Sequence, residues 1–360
     1  MKNDFTERLD SVTWGLPRLA LELGRLAEES RTRREWMKAL AKILGFAVAA
    51  LIVVALGFYF IEVYSPSPAN PALSAAIQQD SIPTGSMTRE FLEYVPHDIS
   101  PHSPLVIVLH GSLMDAKLMR EWTGYEFDEL ADQHGFVVVY PDGYKHNWND
   151  CHSKATFPAH TENIDDMGFV KGLIAREVAQ RQIDEKHVYV LGYSNGGQMA
   201  LRLALQAPEQ VAGIAIAGAS LQAPEDSSCP EQGAVPLLVV QGEKDPIHPI
   251  NGGKVTLLWF RYRGRVLSAF DTAQTFAKRL GVTSAPQQIH RDPQRSGDPT
   301  SADGFLWPGA PSPVVALYNI EGGGHVVPQP VFRYPRILGH TTTAVDMPKL
   351  MIEMFHISSK

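Results

Sequence analysis

From residue 105 onwards the chain carries a series of short apolar runs, separated by segments of mixed polarity. The runs cover residues 105–109, 136–140, 188–191, 211–217, 236–241 and 314–320. Uninterrupted apolar runs of this length are typical of strands buried on both faces of a parallel sheet. Residues 167–181 instead show apolar positions at helical spacing, and residues 91–95 predict an edge strand. The alternation predicts an α/β fold, a mostly parallel sheet with helices on both faces.

One of these runs leads directly into a helical pattern through a G-x-S-x-G sequence. Gly192, Ser194 and Gly196 occupy the fixed positions of that sequence. A sharp strand-to-helix turn of this kind exposes its central side chain at the end of the sheet, and small residues on either side relieve the crowding. The sequence therefore predicts Ser194 as a nucleophile. The alternative is an ordinary strand-to-helix turn with a surface serine.

A serine nucleophile needs a base, which is normally a histidine oriented by a carboxylate. In hydrolases with a serine at such a turn, the acid and then the histidine follow it along the chain. His325 follows the predicted strand at 314–320 through a glycine-rich turn. Asp245 and Glu243 both follow the strand at 236–241, and Asp245 is favoured because a proline-containing turn begins beside it.

Acyl chemistry on a serine also needs two backbone N–H groups that face the negative oxygen as it forms. The N–H of Asn195, directly after the nucleophile, is one expected donor. The N–H of Ser112, in the loop after the strand at 105–109, is the other. His110 in the same loop is expected to have a structural role.

Composition narrows the function further. The 360 residues carry a net charge of −7 and no basic aromatic patch, which argues against a nucleic-acid partner. The sequence has no metal-binding or nucleotide-binding motif, so we expect no metal and no cofactor. The two cysteines, Cys151 and Cys229, are too few for a disulfide scaffold and lack the spacing of zinc ligands.

The N-terminal region contains one stretch, residues 43–61 (Ile43 to Ile61), that carries no charge. At about 1.5 Å per residue this stretch nearly spans a hydrocarbon core of about 30 Å, so it predicts a transmembrane helix. Basic residues precede it at Arg31, Arg33, Arg34, Lys38 and Lys42, and the next one after it is Arg89. This asymmetry places residues 1–42 in the cytoplasm and the rest of the chain outside it, in the periplasm or the extracellular space.

The predicted organisation is a cytoplasmic arm over residues 1–42, a transmembrane helix over 43–61, a proline-rich linker over 62–86 and a catalytic domain over 87–360. The apolar stretch has two alternatives, a buried core helix and a signal peptide that is cleaved on secretion. Residues 32–38 resemble a twin-arginine export signal. The stretch is nevertheless longer than the apolar core of a signal peptide, about 7–15 residues, which favours an uncleaved anchor.

Seven segments of the chain occur in the order found in one group of secreted esterases. They read LVIVLHG, FVVVYPDG, WNDC, IDDMGFV, GYSNGGQMA, QGEKDPIHPINGG and GGGHVVP. On these segments, residues 87–355 resemble α/β-hydrolases of the polyhydroxybutyrate depolymerase and feruloyl esterase type, grouped with carbohydrate esterase family one. The resemblance implies an α/β-hydrolase fold with Ser194, Asp245 and His325 as the catalytic triad. Many members of the group have Cys or Gly at the position of Ser112.

The resemblance and the predicted topology also bear on the remaining motifs. Cys151 and Cys229 would lie in an oxidising compartment, so we expect a disulfide between them rather than two free thiols. Asp165 and Asp166, from the IDDMGFV segment, are expected to begin a helix and to be structural.

The expected function is hydrolysis of carboxylic esters. Ser194 would attack the ester carbonyl, His325 would accept its proton, and Asp245 would orient the imidazole; water would then release the acyl group. The expected substrate is a small-molecule or oligomeric ester of polyhydroxyalkanoate, feruloyl or acetyl type. The alternatives are a serine peptidase or an acyltransferase on the same triad, and a non-catalytic membrane-tethered binding protein.

Overall fold

The structure, a computed structural model, describes residues 15–230, 233–257 and 261–359. The chain divides into two compact units, Met1–Tyr64 and Ser65–Lys360. In the first unit, helix α1 covers Gly15–Phe58 and continues into a π-helical turn over Tyr59–Val63. The segment Ala20–Val63 is long and apolar enough to cross a membrane. Residues 1–14 of the predicted arm lie outside the described residues.

The second unit is built from twelve strands and seven helices within the described residues. The strands are β1 Gln78–Thr84, β2 Met87–Tyr94, β3 Leu105–Leu109, β4 Val137–Pro141, β5 Val188–Tyr193, β6 Gly213–Ala217, β7 Leu237–Gly242, β8 Gly253–Leu257, β9 Arg261–Val266, β10 Gln287–Arg291, β11 Ser301–Trp307 and β12 Val315–Glu321. The helices are α2 Ala116–Trp122, α3 Glu126–His134, α4 Pro158–Thr161, α5 Asp166–Arg181, α6 Asn195–Gln206, α7 Ala269–Arg279 and α8 Met347–Phe355.

Ten of these strands form one sheet in the order β1-β2-β4-β3-β5-β6-β7-β12-β11-β10. The six central strands, β4-β3-β5-β6-β7-β12, are parallel to one another. The two strands at each edge are antiparallel. All the residues of β3 to β7 are buried. The predicted mostly parallel sheet is therefore confirmed, and each apolar run predicted as a central strand overlaps one.

Helices cover both faces of the sheet. One apolar core joins the sheet to α2, α3 and α8 through side chains such as Phe127 and Met351. A second core joins the opposite face to α5, α6 and α7 through Phe169, Met199 and Phe276. Because consecutive side chains of a strand point to opposite faces, the central strands supply apolar residues to both cores. The expected α/β-hydrolase layering is confirmed.

The edges of the sheet differ from the sequence-based expectation. Gln78–Thr84 pairs antiparallel with Met87–Tyr94, although we predicted residues 62–86 as a linker and a domain beginning at 87. The strand in the region of residues 91–95 is consequently the second strand, and β1 lies at the edge. An edge strand is exposed to water and needs no apolar run; most residues of β1 are exposed and polar. Hydrophobic patterning therefore could not reveal it.

Two neighbouring aspartates at the start of α5 have different roles. Asp165 is exposed and caps the helix, since its carboxylate accepts a hydrogen bond from Gly168 N at 2.7 Å. Asp166 is fully buried and pairs with Arg89 of β2 at 2.7 Å. Its second oxygen accepts a hydrogen bond from Asn149 N, also at 2.7 Å. Both residues are structural, as expected.

We expect Asp166→Ala to lower the free energy of unfolding by about 3–5 kcal/mol, because the buried guanidinium of Arg89 loses its partner. Asp165→Ala removes an exposed cap and should cost about 1 kcal/mol. Urea unfolding followed by tryptophan fluorescence measures both variants. Equal losses in the two variants would contradict the assignment of a buried ion pair.

Candidate active site

The turn between β5 and α6 has the strained backbone that the G-x-S-x-G sequence predicts. Ser194 has φ 54° and ψ −117° and is the N-cap residue of α6. Its N–H donates to Ala217 O at the end of β6, at 2.8 Å. A Cβ atom at Gly196 would lie 2.3 Å from Leu109 O at the end of β3. Only a residue without a side chain fits there, so the helix starts directly against the ends of β3 and β6.

His325 and Asp245 form a buried pair. The imidazole Nδ1 lies 2.6 Å from Asp245 Oδ2, and the two side chains are 3% and 0% exposed. The carboxylate also accepts hydrogen bonds from Gln241 Nε2 and from the backbone N–H groups of Ile247 and His248, at 2.7–2.9 Å. Burial raises the pKa of Asp245, but the attraction of His325 and the hydrogen bonds outweigh it, and the pKa is lowered. The carboxylate is therefore held charged and oriented towards the imidazole.

Contacts with residues next to the serine hold His325 beside the turn. The hydroxyl of Tyr193 donates to His325 O at 2.8 Å, and the two rings are 5.0 Å apart. The imidazole also lies against Gly218, the residue after Ala217, where a Cβ atom would be 2.6 Å from Cε1. Ser194 and His325 line one cavity of about 150 Å³. His325, which contacts Asp245, thus lines the same cavity as Ser194, and the three residues follow β5, β7 and β12.

The cavity has an apolar side and a polar side. Its apolar lining includes Met114, Trp122, Ile247, Val255 and Leu338, and its polar lining includes Asp150, His152, Gln198, His248 and Arg263. Burial lowers the pKa of His248 to about 3, so this imidazole is neutral at ordinary pH. The Nε2 atom of His248 lies 3.2 Å from Gln198 Nε2. Because the amide nitrogen of Gln198 can only donate, His248 Nε2 accepts this hydrogen bond.

The two predicted oxyanion residues, Ser112 and Asn195, line the same cavity. Asn195 is the first residue of α6, a position whose N–H has no acceptor within the helix. Ser112 follows β3, and its Oγ accepts a hydrogen bond from Arg263 Nη1 at 2.6 Å. A negative oxygen bound at this end of the cavity would face the start of the helix, where anions are favoured.

The other candidates from the sequence lie outside the catalytic contacts. Glu243 is exposed and accepts a hydrogen bond from Gly322 N at 3.3 Å, so the structure places Asp245 rather than Glu243 on His325. His110 is buried; its Nδ1 donates to Gly111 O and its Nε2 accepts from Gly143 N. Burial lowers the pKa of His110 to about 4. Its role is structural.

A loop at residues 147–152 completes the wall of the cavity. Cys151 is joined by a disulfide to Cys229, and the neighbouring residues Asp150 and His152 line the cavity. Sequence reasoning used the WNDC segment of this loop for the resemblance and for the disulfide of Cys151, and did not identify Asp150, His152 and His248 as lining residues. No local pattern in the sequence marks these side chains, because only the fold brings them to the cavity. The described residues contain no group of three or more His, Cys, Asp or Glu side chains that could hold a metal ion.

The contact between Gly218 and His325 predicts the effect of one added methyl group. Gly218→Ala should displace the imidazole and lower kcat/KM on a short p-nitrophenyl ester by about a hundredfold, the usual effect of a misplacement of about 1 Å. Gly281→Ala is the matched control, since Gly281 also has a positive φ but has no atom within 4 Å of the added Cβ. Equal losses of activity in the two variants would contradict the packing of His325 against Gly218.

We compared the chain with known protein families and proteins. The family described as "Esterase PHB depolymerase" matches residues 91–266, which include the turn at Ser194 and Asp245. The chain is 26% identical over 303 residues to "Putative esterase NocK" of Nocardia uniformis subsp. tsuyamanensis, covering 79% of this chain and 86% of that protein.

Two further relatives match over shorter regions. "Poly(3-hydroxybutyrate) depolymerase" of Ralstonia pickettii is 31% identical over 150 residues, which cover 38% of this chain and 30% of the relative. "Probable acetylxylan esterase A" of Aspergillus fumigatus is 27% identical over 177 residues, or 46% of each chain. The chain thus spans less than half the length of these two relatives.

Among solved structures, the fold is shared with "Acetyl xylan esterase from Aspergillus awamori". The TM-score is 0.51 at 15% identity, and the match covers 79% of this chain and 100% of that one. With the sheet order and the strand-to-helix turn, this likeness shows the fold. Residues 91–266 therefore match the PHB depolymerase family of esterases, and the protein is a carboxylic ester hydrolase with the α/β-hydrolase fold.

Proposed function

We propose that the protein is a serine esterase in which Ser194, His325 and Asp245 act as a catalytic triad. The observation that carries this proposal is the buried 2.6 Å contact of His325 Nδ1 with Asp245, in an imidazole that lines the same cavity as Ser194. A carboxylate on Nδ1 holds the tautomer whose Nε2 can accept a proton. The strained turn at Ser194 supports the role of nucleophile.

In the proposed mechanism, Ser194 Oγ attacks the ester carbonyl while His325 Nε2 takes the hydroxyl proton. The negative oxygen that forms is stabilised by the N–H groups of Asn195 and Ser112. The imidazolium then gives its proton to the departing alcohol, and an acyl-enzyme remains on Ser194. Water attacks this ester with His325 again as the base, releasing the acid and the free serine. Asp245 keeps its negative charge throughout and stabilises the imidazolium.

The size of the cavity points to the acyl group. The cavity of about 150 Å³ is partly open to solvent and has room for a short acyl group, and its apolar side can bury the carbon atoms of a short chain. We therefore favour acetyl or short hydroxyacyl esters over bulky acyl groups. Relatives named acetylxylan esterase and poly(3-hydroxybutyrate) depolymerase support the same range of substrates.

Activity of the full-length protein on p-nitrophenyl acetate, acetylxylan, a hydroxybutyrate oligomer and a feruloyl ester tests this proposal. Ser194→Ala should lose more than a thousandfold in kcat while remaining folded by circular dichroism, because the nucleophile itself is removed. A fluorophosphonate probe should label the native protein and not the variant. Peptide cleavage without ester cleavage would favour a peptidase, and an unlabelled, inactive native protein would favour a binding protein.

For the location, we propose that residues 43–61 anchor the protein in a membrane, with residues 1–42 in the cytoplasm and the catalytic domain outside it. The charge asymmetry around the stretch supports this orientation. A disulfide between Cys151 and Cys229 suits an oxidising compartment. We infer that the domain begins before β1, because Leu73, Ala75 and Ile77 pack against its core.

Alkaline phosphatase fused after residue 360 should be active in a bacterial host, since this reporter folds only where disulfides form. The intact mass of the membrane fraction should include residues 1–61. An inactive reporter would contradict the orientation, and a mature protein that begins after residue 61 would show a cleaved signal peptide instead of an anchor.

A further inference from the structure

The side chain of Asn195 is tied to the loop at residues 147–152. Its Oδ1 accepts a hydrogen bond from Trp148 N at 2.7 Å. Its Nδ2 donates to Trp148 O at 3.1 Å and to Asp150 Oδ2 at 2.7 Å. Asn195 is only 4% exposed. The three hydrogen bonds fix its side-chain amide in one orientation. The backbone of the residue after the nucleophile therefore cannot move independently of this loop.

The loop is itself held at several points, which makes it a rigid support. Trp148 is fully buried and donates from its indole N–H to His110 O at 2.9 Å. Asn149 N donates to the buried carboxylate of Asp166. Cys151 is fixed by its disulfide to Cys229. The loop thus connects the end of β3, the start of α5 and the first residue of α6.

Asp150 is the charged member of this arrangement. It is 3% exposed, and its Oδ1 accepts a hydrogen bond from His152 N at 2.8 Å. Burial raises its pKa, but the nearby His152 and the hydrogen bonds outweigh this effect and lower it. Its other oxygen is the acceptor for Asn195 Nδ2. A charged acceptor makes a hydrogen bond stronger than a neutral one would.

We propose that Asp150 is a positioning residue that acts through the side chain of Asn195 to aim the backbone N–H of Asn195 at the oxyanion. The proposal rests on the proposed serine esterase function. Oxyanion donors act through their placement, which must match the oxygen of the transition state rather than that of the substrate. Loss of the Asp150–Asn195 bond should therefore lower kcat and leave KM nearly unchanged.

An exchange of the two side chains tests the proposal. Asn195→Asp removes the donor and sets two carboxylates against each other, and Asp150→Asn removes the charged acceptor. Each change should lower kcat on p-nitrophenyl acetate at least tenfold and leave KM within about twofold. This loss in kcat is smaller than the loss of about 10²–10³ that follows removal of an oxyanion donor itself. The double variant N195D/D150N re-forms the bond with the donor and acceptor exchanged but leaves Trp148 O without its donor, so its kcat should rise above that of both single variants without reaching the native value.

Measurements on full-length protein separate this role from a structural one. The concentration of active sites is titrated with a fluorophosphonate, so that a misfolded fraction does not lower kcat. Asp128→Asn is the matched control: it changes a buried carboxylate that pairs with Arg120 and does not line the cavity, so kcat should stay within about twofold even if the melting temperature falls. Asn195→Ala, which avoids the repulsion between carboxylates, replaces N195D if the latter does not fold, and should also lose at least tenfold.

Two results would overturn the proposal: single variants with native kcat, or a double variant as slow as the slower single one. Failure of the proposed function is recognised separately. In that case Ser194→Ala would retain the activity of the native protein, whatever the variants at Asn195 and Asp150 do.

Discussion

The site depends on one steric constraint, the close approach of the first turn of α6 to the ends of β3 and β6. The absence of a side chain at Gly196 lets the helix begin against Leu109 O, and Ser194 is held in the turn by its hydrogen bond to Ala217 O. This approach exposes the serine at the end of the sheet. It also sets the free N–H groups of the helix beside the loop that carries Ser112. A larger residue at position 196 would separate these parts.

The parallel sheet supplies the remaining groups because the carboxyl ends of its central strands meet at one edge. Ser112 follows β3, Ser194 follows β5, Asp245 follows β7 and His325 follows β12. Adjacent strands keep these positions in register: β5 lies next to β3 and β6, and β12 lies next to β7. Short loops after these strands are therefore sufficient to bring the side chains to the site. Ser112, Ser194 and His325, spread over more than two hundred positions of sequence, line one small cavity. Asp245 does not line it but contacts His325.

The sequence predicted those parts of the molecule that leave a local signal. Buried central strands appear as apolar runs, and the serine turn, with the strand-end positions of Asp245 and His325, has a short-range pattern. Strand β1 and the β8–β9 hairpin have no such signal, because their residues are largely polar and their pairing depends on neighbours in the fold. The role of the loop at residues 147–152 was equally hidden. Its contacts with Asn195 join residues about 45 positions apart, and only the folded chain brings them together.

The most direct measurement of the central claim is a crystal structure of the full-length protein after reaction with a small fluorophosphonate, whose adduct mimics the tetrahedral intermediate. The account predicts phosphorus bonded to Ser194 Oγ, and a phosphoryl oxygen within about 3 Å of the backbone nitrogens of Asn195 and Ser112. It also predicts His325 Nε2 within hydrogen-bond reach of the serine oxygen or the leaving-group position. An adduct on a different residue, or a phosphoryl oxygen turned away from both nitrogens, would contradict it.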